Sequence, residues 1–277
     1  MRAGLIQLCC GDDPAANLAQ TEALIRDAAG EGAGLILTPE CTNLVSASRA
    51  RQASLLTREA DDLTLIRLSA VAADLRVWLL VGSLLLKSDA PEDDRFINRS
   101  LLLGPDGGVV ARYDKIHMFD VDLGAGERYR ESAAFRPGVQ AVVAPAAGIS
   151  LGMTICYDLR FPALYRRLAQ GGAQVLAIPS AFTVPTGKAH WEPLLRARAI
   201  ETGAYVLAPA QSGEHLASEG APRRTWGHSL AVSPWGEVLA DGGDPVGVTL
   251  VDLDPEAVAE ARARVPSLQH DRAFAEP

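Results

Sequence analysis

The stretch of sequence that decides the fold is GMTICYDLRFP, residues 152–162. The apolar run 149–155 predicts a buried strand before the cysteine, and Phe161-Pro162 begins a helix-like segment after it. A cysteine at such a strand-to-helix corner presents its sulfur at the edge of the sheet, and the following helix N-terminus favours the thiolate. Cys156 is therefore either a displayed nucleophile or a buried structural thiol, which is the commoner fate of a free cysteine.

Outward from this stretch, strand and helix patterns alternate along the chain. Asp13 and Pro14 predict the start of a helix that runs to about residue 29, because aspartate caps a helix and proline suits its first position. The sequence GPDGG at 104–108 predicts a hairpin turn. The predicted strands are 3–10, 34–38, 77–85, 99–103, 109–113, 142–143, 149–155, 175–178, 205–208, 229–232, 237–240 and 246–253, and the other predicted helices are 61–75, 188–201 and the segments after 162 and from 255.

This order of elements indicates an α/β protein. Two sheets, each covered by helices on its outer face, would use every predicted element, although one large doubly wound sheet has the same periodicity. The chain has 277 residues, 48% of them hydrophobic, and no Pro/Gly/Ser-rich linker divides it. We therefore expect a single domain over residues 1–277.

Charge and cysteine content exclude several classes of protein. The net charge of −8 and the pI of about 5.2, with no basic block, argue against nucleic acid or an anionic membrane as a partner. The sequence begins with a strand pattern instead of a signal peptide, and no apolar run approaches membrane-spanning length. The spacing of Cys9, Cys10, Cys41 and Cys156 suits neither a zinc site nor a disulfide framework. A reduced, cytoplasmic protein is the expectation.

Two ionisable residues follow predicted strands and complete a chemical set with Cys156. Glu40 comes after LILTP at 35–39, and Lys115 comes after the strand at 109–113. Catalytic groups of sheet-based folds gather at strand ends. A carboxylate could take the thiol proton, and an ammonium could lower the thiol pKa and stabilise an oxyanion. Taken singly, each residue is more often a solvated loop charge.

Three motifs carry a resemblance to the nitrilase superfamily of carbon–nitrogen hydrolases. TPE at 38–40, YDKIHMFD at 113–120 and the cysteine stretch at 152–162 resemble the glutamate, lysine and cysteine motifs of that family, in the same order. The resemblance covers nearly the whole chain. It continues through the blocks PSAF (179–182), AHWE (189–192), RARAIE (196–201) and WGHS (226–229).

The resemblance implies a fold, a catalytic set and an assembly. The fold is a four-layer α-β-β-α sandwich, the catalytic set is Glu40, Lys115 and Cys156, and the chain forms a homodimer without a cofactor. Glu131 aligns with the second glutamate of the family, which is expected to position Lys115. Beside Lys115, the Tyr157 backbone N–H is the predicted second donor to the oxyanion.

The residues after the nucleophile suggest a branch of the family. Cys-Tyr-Asp resembles the amidases that include omega-amidase and deaminated-glutathione amidase, whereas nitrile-cleaving members have Cys-Trp-Glu. The implied reaction hydrolyses a small carboxylate-bearing amide, such as deaminated glutathione or 2-oxoglutaramate, to acid and ammonia through a thioester on Cys156. The alternatives are a nitrilase or N-carbamoyl amide hydrolase, and a non-catalytic binding protein on the same fold.

A carboxylate-bearing substrate needs a cation in the pocket. Arg160, four residues after the nucleophile, is the predicted ligand, and an ion pair with Asp158 or Glu201 is the alternative. Phe182 and Thr183 follow a strand and are predicted to line the pocket.

Three histidines, His117, His190 and His228, invite a metal assignment. Their spacing fits no zinc motif, and the chemistry implied by the resemblance needs no metal. Structural hydrogen bonding is the expectation for all three.

Overall fold

Two six-stranded sheets dominate the computed structural model, which describes residues 1–90, 92–124, 128–220 and 222–275. The strands are β1 (Arg2–Gln7), β2 (Leu35–Leu37), β3 (Trp78–Lys87), β4 (Phe96–Leu103), β5 (Val109–Asp114), β6 (Asp120–Asp122), β7 (Arg128–Arg130), β8 (Val142–Ala146), β9 (Ile149–Met153), β10 (Val175–Ala177), β11 (Tyr205–Ala208), β12 (Ser212–His215), β13 (Arg223–Trp226), β14 (Leu230–Val232), β15 (Val238–Asp241) and β16 (Gly247–Asp252). The α-helices are α1 (Pro14–Gly30), α2 (Arg49–Leu55), α3 (Leu63–Leu75), α4 (Pro162–Gln170), α5 (Val184–Thr202) and α6 (Pro255–Arg264).

The two sheets share one plan. The first has the order β16-β1-β2-β3-β4-β5, in which β1, β2 and β3 are parallel and the outer strands are antiparallel. The second has the order β15-β14-β11-β10-β9-β8, with β9, β10 and β11 parallel. Each sheet therefore has a parallel core of three strands, and the carboxyl ends of these strands are free to carry functional groups.

Side chains alternate between the two faces of the first sheet and define the layers. Ile6 and Ile36 pack with residues of α1 and α3 on the outer face, whereas Leu5 and Leu37 belong to the core that includes the second sheet. Leu195 of α5 packs in that core as well, on the helical side of the second sheet. The layers are α-β-β-α, as the resemblance implied. The alternative prediction of one large doubly wound sheet is wrong.

Helix starts follow the capping residues of the sequence. The Asp13 carboxylate accepts hydrogen bonds from the N–H groups of Ala15 and Ala16, and Pro14 is the first residue of α1. Asp62 caps α3 in the same way. The helix expected at 188–201 begins four residues earlier, at Val184. None of the helices within the described ranges combines the length and apolar character needed to cross a membrane.

The two sheets are in close contact at Gly82 in β3. A Cβ atom at this position would lie 1.9 Å from the Thr38 carbonyl oxygen and 2.6 Å from the Pro39 carbonyl oxygen. It would also lie 2.6 Å from Cβ of Pro179, which follows β10 in the other sheet. Only glycine fits here, because all of these atoms belong to the backbone or to a rigid ring.

Candidate active site

The ends of three strands bring the predicted catalytic residues together. Glu40 follows β2 and Lys115 follows β5, both in the first sheet, whereas Cys156 follows β9 in the second. All three are buried, with 3%, 2% and 8% of their surfaces exposed. They line one cavity of about 360 Å³, which Glu131 also lines. The site therefore exists only where the two sheets are packed together.

Lys115 is the centre of a buried ion network. Its Nζ lies 2.9 Å from Glu40 Oε1 and 2.9 Å from both carboxylate oxygens of Glu131. The Phe119 N–H donates to Glu131 Oε2 at 2.6 Å, which fixes the second carboxylate. A buried cation held between two carboxylates is stabilised in its charged form and in one position.

Glu40 is held on one side and open on the other. Lys115 and the Asn98 side-chain amide both donate to Oε1, the latter at 3.0 Å. The Gln211 side chain donates to the Glu40 backbone carbonyl at 3.0 Å. Oε2 makes neither of the Oε1 bonds and remains available to the Cys156 thiol, which lies close enough for each group to affect the pKa of the other.

The pKa values of the three groups follow from burial and from their mutual charges. Burial alone would raise the pKa of Glu40, but the Lys115 charge and the Cys156 hydrogen bond outweigh it and lower the pKa. Burial opposes the charge of Lys115, yet Glu131 and Glu40 hold its pKa well above the usual value. Burial, reinforced by the Glu40 charge, raises the pKa of Cys156. The resting pair is a thiol beside a carboxylate.

The raised pKa of Cys156 differs from the sequence-based expectation of a thiol with a lowered pKa. The chain after Cys156 forms only a short 3₁₀ turn, Cys156–Arg160, and α4 begins beyond it at Pro162. So short a turn lacks the dipole of a full helix N-terminus. The Lys115 charge and an N–H from Ala181 do act in the expected direction, but burial and Glu40 dominate.

The nucleophile sits on a constrained turn. Cys156 has φ of +50°, a left-handed conformation that is unusual for a residue with a side chain. Its N–H donates to the Pro179 carbonyl oxygen at 3.0 Å. Tyr157 follows at the start of the 3₁₀ turn, where a backbone N–H has no intrahelical acceptor and can serve a ligand.

Asp158 connects this turn to the lysine motif. It is fully buried and accepts hydrogen bonds from Tyr113 Oη at 2.6 Å and from Ile155 N–H at 2.9 Å. Its other oxygen lies 3.0 Å from His117 N and 2.7 Å from His117 Nδ1. One carboxylate thus joins the strand ends that carry Lys115 and Cys156.

The predicted substrate-binding residues divide into two groups. Tyr157, Phe182 and Thr183 line the cavity with Cys156. Arg160 lies outside the lining, where its guanidinium contacts His190 Nδ1 at 3.3 Å and stacks over aromatic rings. This placement does not favour Arg160 as the cation for a substrate carboxylate.

The alternative partners of Arg160 are engaged elsewhere. Asp158 bonds to Tyr113 and His117, and Glu201 pairs with Arg198 at 2.9 Å. The alternative role of Arg160, an ion pair with Asp158 or Glu201, is therefore wrong.

Sequence reasoning missed the arginines that line the cavity, which are Arg49, Arg128, Arg130 and Arg223. They lie on α2, β7 and β13, short elements that the sequence patterns did not predict. The sequence around them carries no motif, and only the fold reveals that they line the cavity of Cys156.

The three histidines make hydrogen bonds to side chains, as expected. His117 bonds to Asp158, and His228 Nδ1 lies 3.0 Å from both carboxylate oxygens of Asp241. His190 contacts Arg160. Across the described parts of the chain, no group of three His, Cys, Asp or Glu side chains has an arrangement suited to a metal ion.

Comparisons with known proteins agree with this geometry. The sequence model of the family described as Carbon-nitrogen hydrolase matches residues 2–263. The deaminated glutathione amidase of Yersinia enterocolitica is 42% identical over 270 residues, covering 97% of this chain and 92% of the relative. The omega-amidase of Homo sapiens is 35% identical over 273 residues, covering 98% of this chain and 95% of the relative.

A solved structure adds chemical detail. A variant of the amidase from Nesterenkonia sp. AN1 superposes with a TM-score of 0.79 at 28% identity, covering 98% of this chain and 94% of that one. Its crystals show the acetamide moiety of fluoroacetamide added covalently at the active site cysteine. By sequence and by fold, the chain belongs to the carbon-nitrogen hydrolase family, the nitrilase superfamily of enzymes that hydrolyse carbon–nitrogen bonds other than peptide bonds.

Proposed function

We propose that the protein is an amidase that hydrolyses small carboxylate-bearing amides of the 2-oxo acid class through a thioester on Cys156. One observation carries the proposal: buried Lys115 bonds to both Glu40 and Glu131 at the wall of the cavity that Cys156 lines. Burying Glu40 and Lys115 and partly burying Glu131 is unfavourable unless the three charges act together, so a protein that only binds ligands has little reason to keep them. The amidase names of the relatives point the same way.

The first half of the reaction forms the thioester. Glu40 takes the Cys156 proton as sulfur attacks the amide carbonyl carbon, so free thiolate need not accumulate at a raised thiol pKa. Lys115 Nζ and the Tyr157 N–H stabilise the oxyanion of the tetrahedral intermediate. Glu40 then gives the proton to the leaving nitrogen, and the carbon–nitrogen bond breaks.

The second half releases the acid. Glu40 removes a proton from water, the hydroxide oxygen attacks the thioester carbonyl, and the proton returns to Cys156 as the carbon–sulfur bond breaks. Glu131 acts on Lys115, which it holds through both carboxylate oxygens. We assign Glu40, Lys115 and Cys156 as the residues that act on the substrate, and Glu131 as the member of the catalytic set that positions Lys115.

The leaving group depends on the amide, which refines the sequence-based expectation of acid and ammonia. Ammonia leaves from 2-oxoglutaramate, a primary amide. Deaminated glutathione joins 2-oxoglutarate to the cysteine nitrogen of cysteinylglycine, so its hydrolysis releases that dipeptide instead of ammonia. The product common to both substrates is 2-oxoglutarate.

The test measures 2-oxoglutarate formation from each of the two amides. We expect turnover of at least one, loss of turnover in Cys156→Ala, and retention in Cys9→Ala, whose sulfur lies outside the cavity lining. Faster conversion of nitriles or N-carbamoyl amino acids than of any amide would transfer the function to those classes. Absence of any turnover would favour a binding protein.

We also infer that residues 1–277 form one domain and act as a homodimer in the cytoplasm. The four cysteines are free thiols, which suits a reducing compartment. Ile200 and Trp235 expose 56% and 52% of their surfaces and lie on neighbouring segments, which suits a contact between subunits. Light scattering of the purified chain tests the dimer, and cell fractionation tests the compartment.

A further inference from the structure

Arg223 lies in the reaction cavity with unused hydrogen-bonding capacity. It belongs to β13 and lines the same cavity as Cys156. Its Nη2 donates to the Ala181 carbonyl oxygen at 2.6 Å, and Ala181 lines the same cavity as Cys156. Its Nε is buried and has no hydrogen-bond partner within the described chain. The guanidinium is thus close to the nucleophile with at least one donor unmet.

No carboxylate neutralises this cation within the part of the chain that the structure describes. Glu40 is close enough to stabilise the Arg223 charge, but its hydrogen bonds come from Lys115 and Asn98. Glu214, on the paired strand β12, lies 3.9 Å from the exposed Arg224 instead. Arg223 is partly buried, but its Nε–H is fully buried without an acceptor, which is unfavourable in the free protein, and an anionic ligand would remove that penalty.

The other arginines of the cavity are exposed to solvent, and two of them already have partners. Arg49 donates to the Ala134 carbonyl oxygen at 2.7 Å and stacks over Phe96 at 4.1 Å. Arg128 pairs with Asp122 at 2.7 Å, and Arg130 is exposed to solvent. Arg223 is distinguished from them by its buried donor beside the nucleophile.

We propose that Arg223 binds the free carboxylate of the substrate and so selects amides that carry one. This inference rests on the proposed amidase function, to which it adds the residue that recognises the carboxylate. The Nε–H and the remaining guanidinium N–H groups form charge-assisted hydrogen bonds to the carboxylate. Binding of the substrate carboxylate by Arg223 places the scissile carbonyl next to Cys156. Arg223 on β13 thus takes the role that the sequence assigned to Arg160.

The competing role for Arg223 is purely structural. It would hold the Ala181 carbonyl in place and keep the segment after β10 against the nucleophile. In that case its loss would impair every amide to the same degree, whether or not the amide carries a carboxylate. Charged and neutral amides of equal length separate the two roles.

The experiment compares glutaramate with pentanamide, in which a methyl group replaces the carboxylate. For Arg223→Met we expect kcat/KM to fall about 100-fold with glutaramate and less than about threefold with pentanamide. Arg223→Lys should recover part of the loss. The matched control is Arg224→Met, which removes an exposed arginine from the same strand and should leave both values unchanged. Equal losses with both amides, or a wild-type preference for pentanamide, would overturn the assignment.

A binding measurement separates failure of this inference from failure of the proposed function. Calorimetric titration of Cys156→Ala with glutarate needs no turnover, and adding Arg223→Met should weaken binding at least about tenfold. If the wild type hydrolyses no amide, the proposed function fails while this titration still decides the role of Arg223. Unchanged glutarate affinity would refute the carboxylate site. If Arg223→Met does not fold, Arg223→Lys and Arg223→Gln serve in the same titration.

Discussion

Replacing Asp158 with asparagine should damage both stability and turnover. The Asp158 carboxylate receives four contacts, from Tyr113 Oη, Ile155 N–H and two nitrogens of His117, at 2.6–3.0 Å. Asparagine has only one side-chain oxygen, so it can keep the bonds from Tyr113 Oη and Ile155 N–H, which share one oxygen of Asp158. Its amide N–H groups then face the His117 backbone N–H, which loses its acceptor.

The magnitude follows from these contacts. Hydrogen bonds to a charged group contribute about 1.5–3 kcal/mol each, and at least one is lost while the others become neutral. We expect Asp158→Asn to lower the free energy of unfolding by about 3 kcal/mol, which corresponds to a fall of about 6–12 °C in Tm for a chain of this size. Tyr113→Phe removes a single donor and leaves the carboxylate in place, so its effect should be about half as large.

Turnover should fall by a separate route. Asp158 fixes the turn on which Cys156 adopts its left-handed conformation, and a displacement of the nucleophile by about 1 Å can reduce turnover about 100-fold. Urea unfolding measures the stability, and 2-oxoglutarate formation well below the melting temperature measures the turnover. An Asp158→Asn protein that melts within about 2 °C of wild type and retains full turnover would refute this reasoning.

Two further predictions concern stability. Gly187→Ala should destabilise the fold by about 2 kcal/mol or more, because the new Cβ would lie 2.2 Å from Cβ and Cγ of Trp226. The control is Gly30→Ala, also in a helix, where a new Cβ would have no atom within 4 Å. This variant should be neutral or slightly stabilising. Urea unfolding of both variants checks this, and equal effects would contradict it. Burial lowers the pKa of His215 to about 4, so between about pH 6.5 and pH 4 the unfolded chain binds a proton that the folded chain does not. The free energy of unfolding should therefore be highest above about pH 6.5 and should fall by up to about 3 kcal/mol as the pH is lowered to 4. In His215→Gln this fall should be clearly smaller. Parallel pH profiles for the two proteins would show that His215 is not responsible.

Local rules predicted the framework of the fold. Asp13 and Asp62 cap helices where the sequence indicated helix starts, and the turn at 104–108 joins β4 and β5 as expected. Strand bounds agree to within a few residues because the buried strands are continuous apolar runs. The split of these strands into two sheets came from the resemblance, since periodicity does not record which strands pair.

The elements that shape the cavity could not be predicted in this way. Helix α2 and the pairs β6–β7 and β12–β13 are short and largely polar, so they lack an apolar period. Through tertiary contacts, α2, β7 and β13 of this group come to line the cavity. For this reason the sequence assigned the substrate cation to Arg160, beside the cysteine in the chain, whereas Arg223 lies in the cavity, 67 positions after Cys156 in sequence.

The contact between the sheets at Gly82 has a mechanical consequence. Backbone meets a proline ring there, so no flexible side chain can absorb a sliding movement of one sheet over the other. Glu40 and Lys115 travel with the first sheet and Cys156 with the second, so a shear that leaves every strand pairing intact would still separate base from nucleophile. The catalytic rate therefore reports how the two sheets are aligned. Circular dichroism does not detect this alignment, because the secondary structure is unchanged by such a shear.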